Sequence, residues 1–259
     1  MKRILSPLAV AALALSLAAC GSDDDSTSAS GVKTVQDGKL TICTDAPFAP
    51  FEYEDASTPT GFTGFDIDIA TAIADDLELE LAVAPTGFDA VQSGTALNAG
   101  QCDMGASAIT INEDRKATID FSDPYLDSEQ SLLVPADSDV KTLADLKGKK
   151  IGTMGTSTGE KYATANAKDA DIVSFPDDGK MFQALKAKQV DALLQDIEVN
   201  ALHQTDGTFT IVETYPTGES YGLAVKKGNT ELLEAVNESL QGLRDSKKYD
   251  EIHAEYFGS

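Results

Sequence analysis

Two side chains of opposite charge follow predicted buried strands and are suited to the charged groups of a ligand. Arg115 comes shortly after the predicted strand 103–107, and its guanidinium is a rigid fork of donors that fits a carboxylate. The alternative is a surface arginine paired with an acidic neighbour on its own helix. Asp196 follows the predicted strand 190–194, where a carboxylate is costly to bury unless a cation joins it. We therefore expect a cleft with an anion site at Arg115 and a cation site at Asp196.

Hydroxyl groups and a further carboxylate occupy other strand ends. The Thr110 hydroxyl can accept a hydrogen bond from an ammonium, and the Thr110 N–H can donate one to a carboxylate. Ser157 and Thr158 lie at the start of a predicted helix, where a hydroxyl caps the first turn and free N–H groups favour an anion. The sequence leaves open which of Thr156, Ser157 and Thr158 would contact a ligand. Asp45 follows the first strand and only accepts hydrogen bonds, so it favours an amide or a cation.

Other chemistries find little support in the sequence. It contains no Ser/His/Asp or Cys/His arrangement, and its two histidines, His203 and His253, are isolated. No calcium loop of the D-x-D-x-D-G type occurs, and the acidic run 23–25 is typical of a solvated segment. We expect no catalytic residue, no metal and no cofactor.

The elements that must position these residues alternate between strand and helix. An apolar helix stripe recurs every four residues at Phe65, Ile69, Ile73 and Leu77, with Asp66 and other acidic residues expected on the remaining faces. Each half of the chain has the pattern β-α-β-α-β, which predicts parallel strands with right-handed crossovers. Two such units predict an α/β fold with two lobes, each a mainly parallel sheet flanked by helices.

Two chain crossings are expected to join the lobes as a hinge, near 127–131 and 217–221. The first lobe would then comprise residues 38–127 and 221–259, and the second residues 128–220. Ligands of open α/β sheets bind at the carboxyl ends of the strands. The candidate residues above all stand at such ends, so the expected site is the cleft between the lobes.

The N-terminus predicts export. Lys2 and Arg3 precede a short apolar run, which is typical of a signal peptide over residues 1–19. The segment Leu17-Ala18-Ala19-Cys20 resembles the bacterial lipobox, which implies cleavage before Cys20 and lipid, palmitate included, on that residue. An ordinary signal peptide with an incidental cysteine is the alternative. Residues 20–37 are rich in Ser, Asp and Thr and are expected to form a flexible tether.

The composition excludes one class of partner. Lys2 and Arg3 leave with the signal peptide, so 18 of the 20 basic residues stand against 43 acidic ones and the net charge becomes −25. Nucleic acid requires a basic face and is excluded as a partner. The acidity is interpreted as a solubilising surface, and we expect a monomer.

Cys43 and Cys102 are predicted to remain unpaired. An exported protein permits a disulfide. However, Cys43 lies near the end of one strand and Cys102 before the start of another. In neighbouring parallel strands they would stand at different heights, beyond the roughly 7 Å between Cα atoms that a disulfide allows.

From Gly38 to Gly258 the chain resembles the family-3 extracellular solute-binding proteins, the amino-acid receptors of ABC importers. The resemblance rests on a series of segments in this order: TDAPFAPFEY, GFDIDIATAIA, ITINEDRKATIDFSDPY, GTSTGEKYA, VDALLQD, YGLAVKKGN and YDEIHAEYFG. It implies the type II periplasmic-binding-protein fold, an ABC permease as partner, and an extracytoplasmic location with membrane contact through the N-terminal lipid only.

The resemblance also implies roles for individual residues. Arg115 would hold the α-carboxylate of an amino acid, while Asp196, the Ala108 carbonyl and Thr110 would hold its ammonium. Phe48 and Phe88 match an aromatic pair that encloses the ligand's side chain. The GTSTGEKYA loop is one residue longer than the common form, which puts the roles of Ser157 and Thr158 in doubt.

Asp45 matches the family position that contacts the far end of the ligand's side chain. A carboxylate there disfavours an acidic ligand, so glutamine, arginine, lysine or histidine remain.

The sequence is also compatible with two functions other than amino-acid import. One is a dehydratase of the prephenate or arogenate type on a similar fold, which would need a general acid beside the leaving group. The other is a component that presents its ligand to a separate sensor.

Overall fold

The computed structural model describes residues 31–204 and 206–258. Its strands are β1 (Lys39–Thr44), β2 (Tyr53–Glu54), β3 (Phe62–Thr63), β4 (Glu80–Pro85), β5 (Met104–Gly105), β6 (Ile119–Phe121), β7 (Leu126–Pro135), β8 (Lys150–Met154), β9 (Asp171–Phe175), β10 (Ala192–Asp196), β11 (Phe209–Tyr221) and β12 (Ala224–Lys226). Its helices are α1 (Phe65–Asp76), α2 (Phe88–Gln92), α3 (Thr95–Asn98), α4 (Glu113–Lys116), α5 (Thr158–Asn166), α6 (Asp178–Lys186), α7 (Ile197–His203), α8 (Thr230–Asp245) and α9 (Lys248–Phe257).

Two five-stranded sheets form the two lobes, which confirms the predicted fold class. The first has the order β4-β1-β5-β12-β6, with β1 parallel to β4 and β5, and β12 antiparallel to both of its neighbours. The second has the order β11-β7-β10-β8-β9, in which β10, β8 and β9 are parallel. The parallel strands come from the repeated β-α-β units. The antiparallel strands come from the segments between and after these units: β7 precedes β8, β9 and β10, and β11 and β12 follow them.

The chain crosses between the sheets along an antiparallel pair of strands. At this end of β7 and β11, Leu126 lies opposite Tyr221 and Ser128 opposite Glu219. The pairing then continues into the second sheet, with an irregularity between Tyr215 and Glu219. Both crossings are therefore extended backbone, hydrogen-bonded to each other, beside the carboxyl ends of the parallel strands.

Helix α1 buries both its apolar stripe and one acidic residue. Phe65, Ile69 and Ile73 are fully buried against the first sheet, as their spacing predicts. Asp66 lies outside this stripe, on another face of the helix, and is also fully buried. Its carboxylate accepts hydrogen bonds from the N–H of Ala108 and the hydroxyl of Tyr125, both at 2.8 Å. These partners come from distant segments, so helix periodicity alone does not reveal them.

Cys43 and Cys102 form a disulfide, so the prediction that they remain unpaired is wrong. Their Cα atoms are 5.6 Å apart. The prediction assumed that β5 extends straight back through Cys102, but β5 has only two residues and the chain bends at Asp103. The Asp103 carboxylate holds this bend by accepting a hydrogen bond of 2.8 Å from the N–H of Thr41. The bend brings Cys102 beside Cys43.

Only the last residues of the N-terminal segment, 31–37, lie within the described part of the chain. The predicted signal peptide, Cys20 and the tether up to residue 30 lie outside the described residues. Residues 31–37, predicted as the end of the tether, pack on the first lobe, where Val32 is buried and the Val35 N–H donates to Asp103 at 2.6 Å. Over the described residues, none of the helices is long and apolar enough to cross a membrane.

Candidate functional site

Arg115 is a buried cation at the carboxyl end of the first sheet. Asn112 caps the short helix α4 by accepting the Arg115 N–H at 2.9 Å, which sets the direction of the side chain. The guanidinium donates from Nη1 to the Thr110 carbonyl at 2.9 Å and from Nε to Gln92 Oε1 at 3.1 Å. A longer contact of 3.4 Å joins Nη2 to the Thr156 carbonyl of the second lobe. Arg115 is therefore fixed by the first lobe and contacts the second.

Burial lowers the pKa of Arg115 to about 10, against the opposing pull of the Asp196 and Glu219 carboxylates. The guanidinium is still charged at neutral pH. It is only 5% exposed, and its Cζ lies 5.2 Å from the ring centroid of Phe88. A buried charge of this kind strongly favours an anionic partner, because few of its interactions are screened by water.

Asp196 lies on the opposite side of the cleft, at the end of β10 and the start of α7. Its Oδ1 accepts a hydrogen bond of 2.5 Å from Gln130 Nε2. Burial, together with the Glu198 and Glu219 carboxylates, raises the pKa of Asp196 to about 7, against the hydrogen bond from Gln130, which lowers it. A cation that replaced the missing solvation would restore full ionisation.

Three hydroxyl residues meet where the lobes approach each other. The hydroxyls of Thr110 and Thr158 are 3.4 Å apart, one from each lobe. Thr158 also donates to Glu219 Oε2 at 3.1 Å. Ser157 instead caps α5: its hydroxyl accepts from the Glu160 N–H at 3.1 Å and donates to the Met154 carbonyl at 2.7 Å. The structure thus places Thr158 at the cleft and commits the Ser157 hydroxyl to its own helix.

Ala108 adopts a strained backbone conformation below Arg115. Its φ is 44°, in the left-handed region that non-glycine residues seldom occupy. The Asp66 carboxylate holds this peptide through the Ala108 N–H. Burial raises the pKa of Asp66 to about 7. The Ala108 loop is therefore a fixed feature of the first lobe.

The other end of the cleft contains Asp45 and Phe88. Burial raises the pKa of Asp45 to about 6, opposed by its hydrogen bond from the Phe88 N–H. The Asp45 N–H donates to the Ser107 hydroxyl at 3.1 Å, and that hydroxyl donates in a short hydrogen bond to the buried Glu52. Burial and the neighbouring Asp66 raise the pKa of Glu52 well above its usual range.

The two predicted aromatic contacts have different surroundings. Phe88 lines a cavity of about 490 Å³ between the sheets. Phe48 packs on the core residue Phe51, with ring centroids 5.9 Å apart, and is 5% exposed. Both rings are buried in the first-lobe core, with Phe88 7% exposed, and of the two it is Phe88 that also lines the cavity.

Sequence reasoning missed the side chains that hold the site residues. The Gln130 amide bridges Asp196 and Glu219, with Nε2 3.0 Å from the latter. Gln92 holds Arg115. Gln130 and Glu219 do fall within the two segments that were predicted as crossings. Polar residues in an expected hinge were therefore a signal that could have pointed to them.

The two lobes are in contact along one rim of the cleft. Lys161 on α5 and Asp114 on α4 form an ion pair with Nζ and Oδ2 2.5 Å apart, and both side chains are largely exposed. With the contact from Arg115 to Thr156 and the approach of Thr110 to Thr158, this pair joins the lobes over the site. Within the described part of the chain, no cluster of His, Cys, Asp and Glu is arranged to hold a metal ion.

Comparison with known proteins agrees with this geometry. The family model for bacterial extracellular solute-binding proteins, family 3, matches residues 40–259. The ABC transporter glutamine-binding protein GlnH of Bacillus subtilis (strain 168) is 35% identical over 198 residues, or 74% of this chain and 72% of that protein. The lysine/arginine/ornithine-binding periplasmic protein of Escherichia coli (strain K12) is 32% identical over 229 residues, or 83% and 86% of the two chains.

A solved structure extends the similarity to three dimensions. It is an ancestral arginine-binding protein bound to glutamine, 38% identical to this chain, with a TM-score of 0.80. The match covers 86% of this chain and 100% of that one.

Proposed function

Because the chain belongs to the bacterial extracellular solute-binding proteins, family 3, we propose that it is the extracytoplasmic substrate-binding component of an ABC importer for a polar amino acid. The proposed lobes are residues 38–127 with 221–259, and residues 128–220. They close on the ligand, and the closed form presents it to the permease.

One observation carries this proposal: a buried guanidinium, Arg115, faces a half-buried carboxylate, Asp196, across the cleft. We assign the ligand's α-carboxylate to Arg115 and its ammonium to Asp196, the Ala108 carbonyl and the Thr110 hydroxyl. The ligand's side chain then extends towards Asp45, Phe48 and Phe88. Thr158 is the second-lobe hydroxyl that faces the ligand, and Ser157 contributes through the capped start of α5.

An amino-acid zwitterion carries a charge opposite to that of each protein group: its carboxylate pairs with Arg115 and its ammonium with Asp196. Arg115 and Asp196 both contact the ligand only when the lobes are closed, so the ligand selects the closed state. About four or five charge-assisted hydrogen bonds at roughly 1.5–3 kcal/mol each give about 6–15 kcal/mol before the cost of association, and micromolar binding corresponds to about 8 kcal/mol. We expect a dissociation constant between about 10 nM and 10 μM.

Calorimetric titration of the exported domain with each of the twenty amino acids tests the function. The expected result is at least one polar amino acid that binds within this range, while acidic amino acids do not. A thermal-shift screen serves as an independent readout, since a ligand at about 100 times its dissociation constant adds about 2.7 kcal/mol of stability. Binding no tighter than millimolar for all twenty would contradict the proposal.

The proposal includes a location at the outer face of the cell membrane. Cleavage before Cys20 and lipidation of that residue would tether the domain near its permease. Metabolic labelling with a fatty acid tests this part. The expected result is a labelled protein in the membrane fraction that becomes soluble and unlabelled with Cys20→Ser. Labelling that survives the substitution would contradict it.

A dehydratase is the second candidate, and the carboxyl groups in the cleft favour it. Asp45 and Asp196 have pKa values of about 6 and 7, which suit a general acid near neutral pH. Incubation with arogenate and prephenate decides between the two functions. Turnover that is lost with Asp45→Asn would support the enzyme, and amino-acid binding without turnover supports transport.

A further inference from the structure

The end of the cleft beyond Phe88 is lined by elements of both lobes. The cavity of about 490 Å³ there is lined by Gly87, Phe88, Asp89 and Ala90 of the first lobe. From the second lobe it is lined by Gly155 and Thr156 and by the segment Ser174, Phe175 and Pro176 at the end of β9. A side chain that extends past Phe88 would therefore meet the second lobe where α6 begins.

Three charged side chains flank this cavity in addition to Asp89. Asp45 stands on the first-lobe side, held by the Phe88 N–H. Asp177 directly follows Pro176 and caps α6, accepting the Lys180 N–H at 2.7 Å. The Lys180 ammonium lies 2.5 Å from Asp177 Oδ2. Asp177 raises the pKa of Asp45 and Lys180 lowers it, so the three groups interact across the cleft.

We infer that this cavity receives a cationic ligand side chain, that Asp177 meets its charged end opposite Asp45, and that Lys180 is a countercharge which the ligand displaces. The inference rests on the proposed function and narrows its substrate to amino acids with a positively charged side chain. Asp177 and Lys180 are thereby specificity-determining residues on the second lobe.

The charges around the cavity disfavour a neutral or an acidic ligand side chain. Asp45, Asp89 and Asp177 carry three negative charges and Lys180 one positive charge. A ligand cation reduces this imbalance, a neutral amide leaves it unchanged, and an acidic side chain is repelled.

Lys180 and Asp177 also differ in how firmly they are held. The Lys180 side chain is 67% exposed and the Asp177 side chain 27%. An exposed pair three residues apart on a helix contributes little, so moving the lysine away costs little. Asp177 stays in place because it caps the helix. The fixed carboxylate is therefore available to a cation that enters from the cleft.

Calorimetry with arginine, citrulline and glutamine tests the inference, because citrulline has the length of arginine without its charge. We expect wild-type protein to bind arginine at least about tenfold more tightly than citrulline. Asp177→Asn should weaken arginine binding about five- to tenfold and citrulline binding less than twofold. Asparagine is an equally good cap, so this variant should fold with unchanged helicity. Lys180→Met should strengthen arginine binding.

Asp169→Asn is the matched control, since it removes the same charge from an exposed second-lobe ion pair with Lys147. It should leave all three affinities unchanged. Equal affinity of wild-type protein for arginine and glutamine, or equal losses of arginine and citrulline binding in Asp177→Asn, would overturn the inference alone. Failure of every amino acid to bind would instead overturn the proposed function.

Discussion

The two lobes hold their halves of the site by different means. In the first lobe, buried neighbours fix the contact groups: Asp66 holds the Ala108 peptide, and Gln92 and the Thr110 carbonyl hold Arg115. In the second lobe, Asp196 and Thr158 are held through Gln130 and Glu219, which lie on the crossing strands β7 and β11. The contact groups of the first lobe are therefore held within that lobe. In the second lobe, Gln130 pairs with Asp196 inside the second sheet, and Thr158 is held through Glu219, which lies at the crossing.

This difference indicates an order of binding. Under the proposed function, a ligand meets Arg115 already held in place on the first lobe. Closure then adds the second-lobe contacts of Asp196 and Thr158. Substitutions in the first lobe should accordingly reduce binding as a whole, while those in the second lobe should act on closure.

The largest expected effect is that of Arg115→Ala. We expect it to weaken ligand binding by about 2–5 kcal/mol, because it leaves the ligand's carboxylate unpaired in a buried position. Calorimetry measures the loss. Lys116→Ala, an exposed neighbour paired with Glu113, is the control and should bind as the wild type does. Unchanged affinity in Arg115→Ala would show that the anion site is elsewhere.

Removing the disulfide tests whether the first lobe is prebuilt. Cys43 and Cys102 are 59 positions apart, so replacing both with serine should lower the free energy of unfolding by about 4 kcal/mol through the entropy of the unfolded chain. Urea titration measures this loss, and calorimetry below the unfolding transition should still detect ligand. A variant as stable as the wild type would contradict the stabilising role of this bond.

Asp196 gives the second lobe a pH dependence. Its pKa of about 7, like that of Asp66, lies above the usual value of about 3.9, so the folded protein binds more protons than the unfolded chain. This contribution to stability is complete below about pH 4 and is lost as the pH rises through 7. Ligand-free protein should therefore melt at a higher temperature at pH 5 than at pH 8.

Ligand binding should change with pH in the opposite direction, because an ammonium pairs with ionised Asp196. Affinity should rise between about pH 6 and pH 8, and Asp196→Asn should reduce that rise to the part that ionisation of Asp45 contributes near pH 6 and weaken binding about tenfold. Asp191→Asn is the control at the other end of this strand, where the carboxylate accepts the Lys150 N–H at 2.8 Å. A wild-type affinity that is constant over this range would contradict the assignment of the ammonium to Asp196.

The sequence predicts those parts of the molecule that are held by near neighbours in the chain, and it does not predict those held by distant segments. Local patterns predict the β-α-β units, the apolar stripe of α1 and the capped start of α5, because these depend on neighbours in the chain. The disulfide and the partners of Asp196 and Asp66 depend on segments about 40 to 70 positions apart. No local period specifies such contacts. Arg115 and Asp196 could be proposed because strand ends converge in any α/β sheet.

The smallest expected effect concerns the rim, where Lys161 and Asp114 join the lobes. Lys161→Glu replaces an attraction across the cleft with a repulsion, so the closed state should open faster and ligand affinity should fall about twofold at low salt. Stopped-flow measurement should show the change in the dissociation rate, with little change in association. Lys147→Glu reverses a charge in an exposed pair within one lobe and should have no effect.

The charge swap decides what the rim pair does. The double variant Asp114→Lys with Lys161→Glu exchanges the two charges and so restores the attraction across the cleft. If the pair acts only by joining the lobes, this variant should recover the wild-type dissociation rate. A swap that dissociates as fast as the single variant would show that Lys161 acts within its own lobe. High salt should reduce the difference between wild type and Lys161→Glu, because both side chains are exposed and screened. Closure would then rest on the buried contacts of Arg115 and Asp196, with the rim pair adjusting only how long the lobes stay closed.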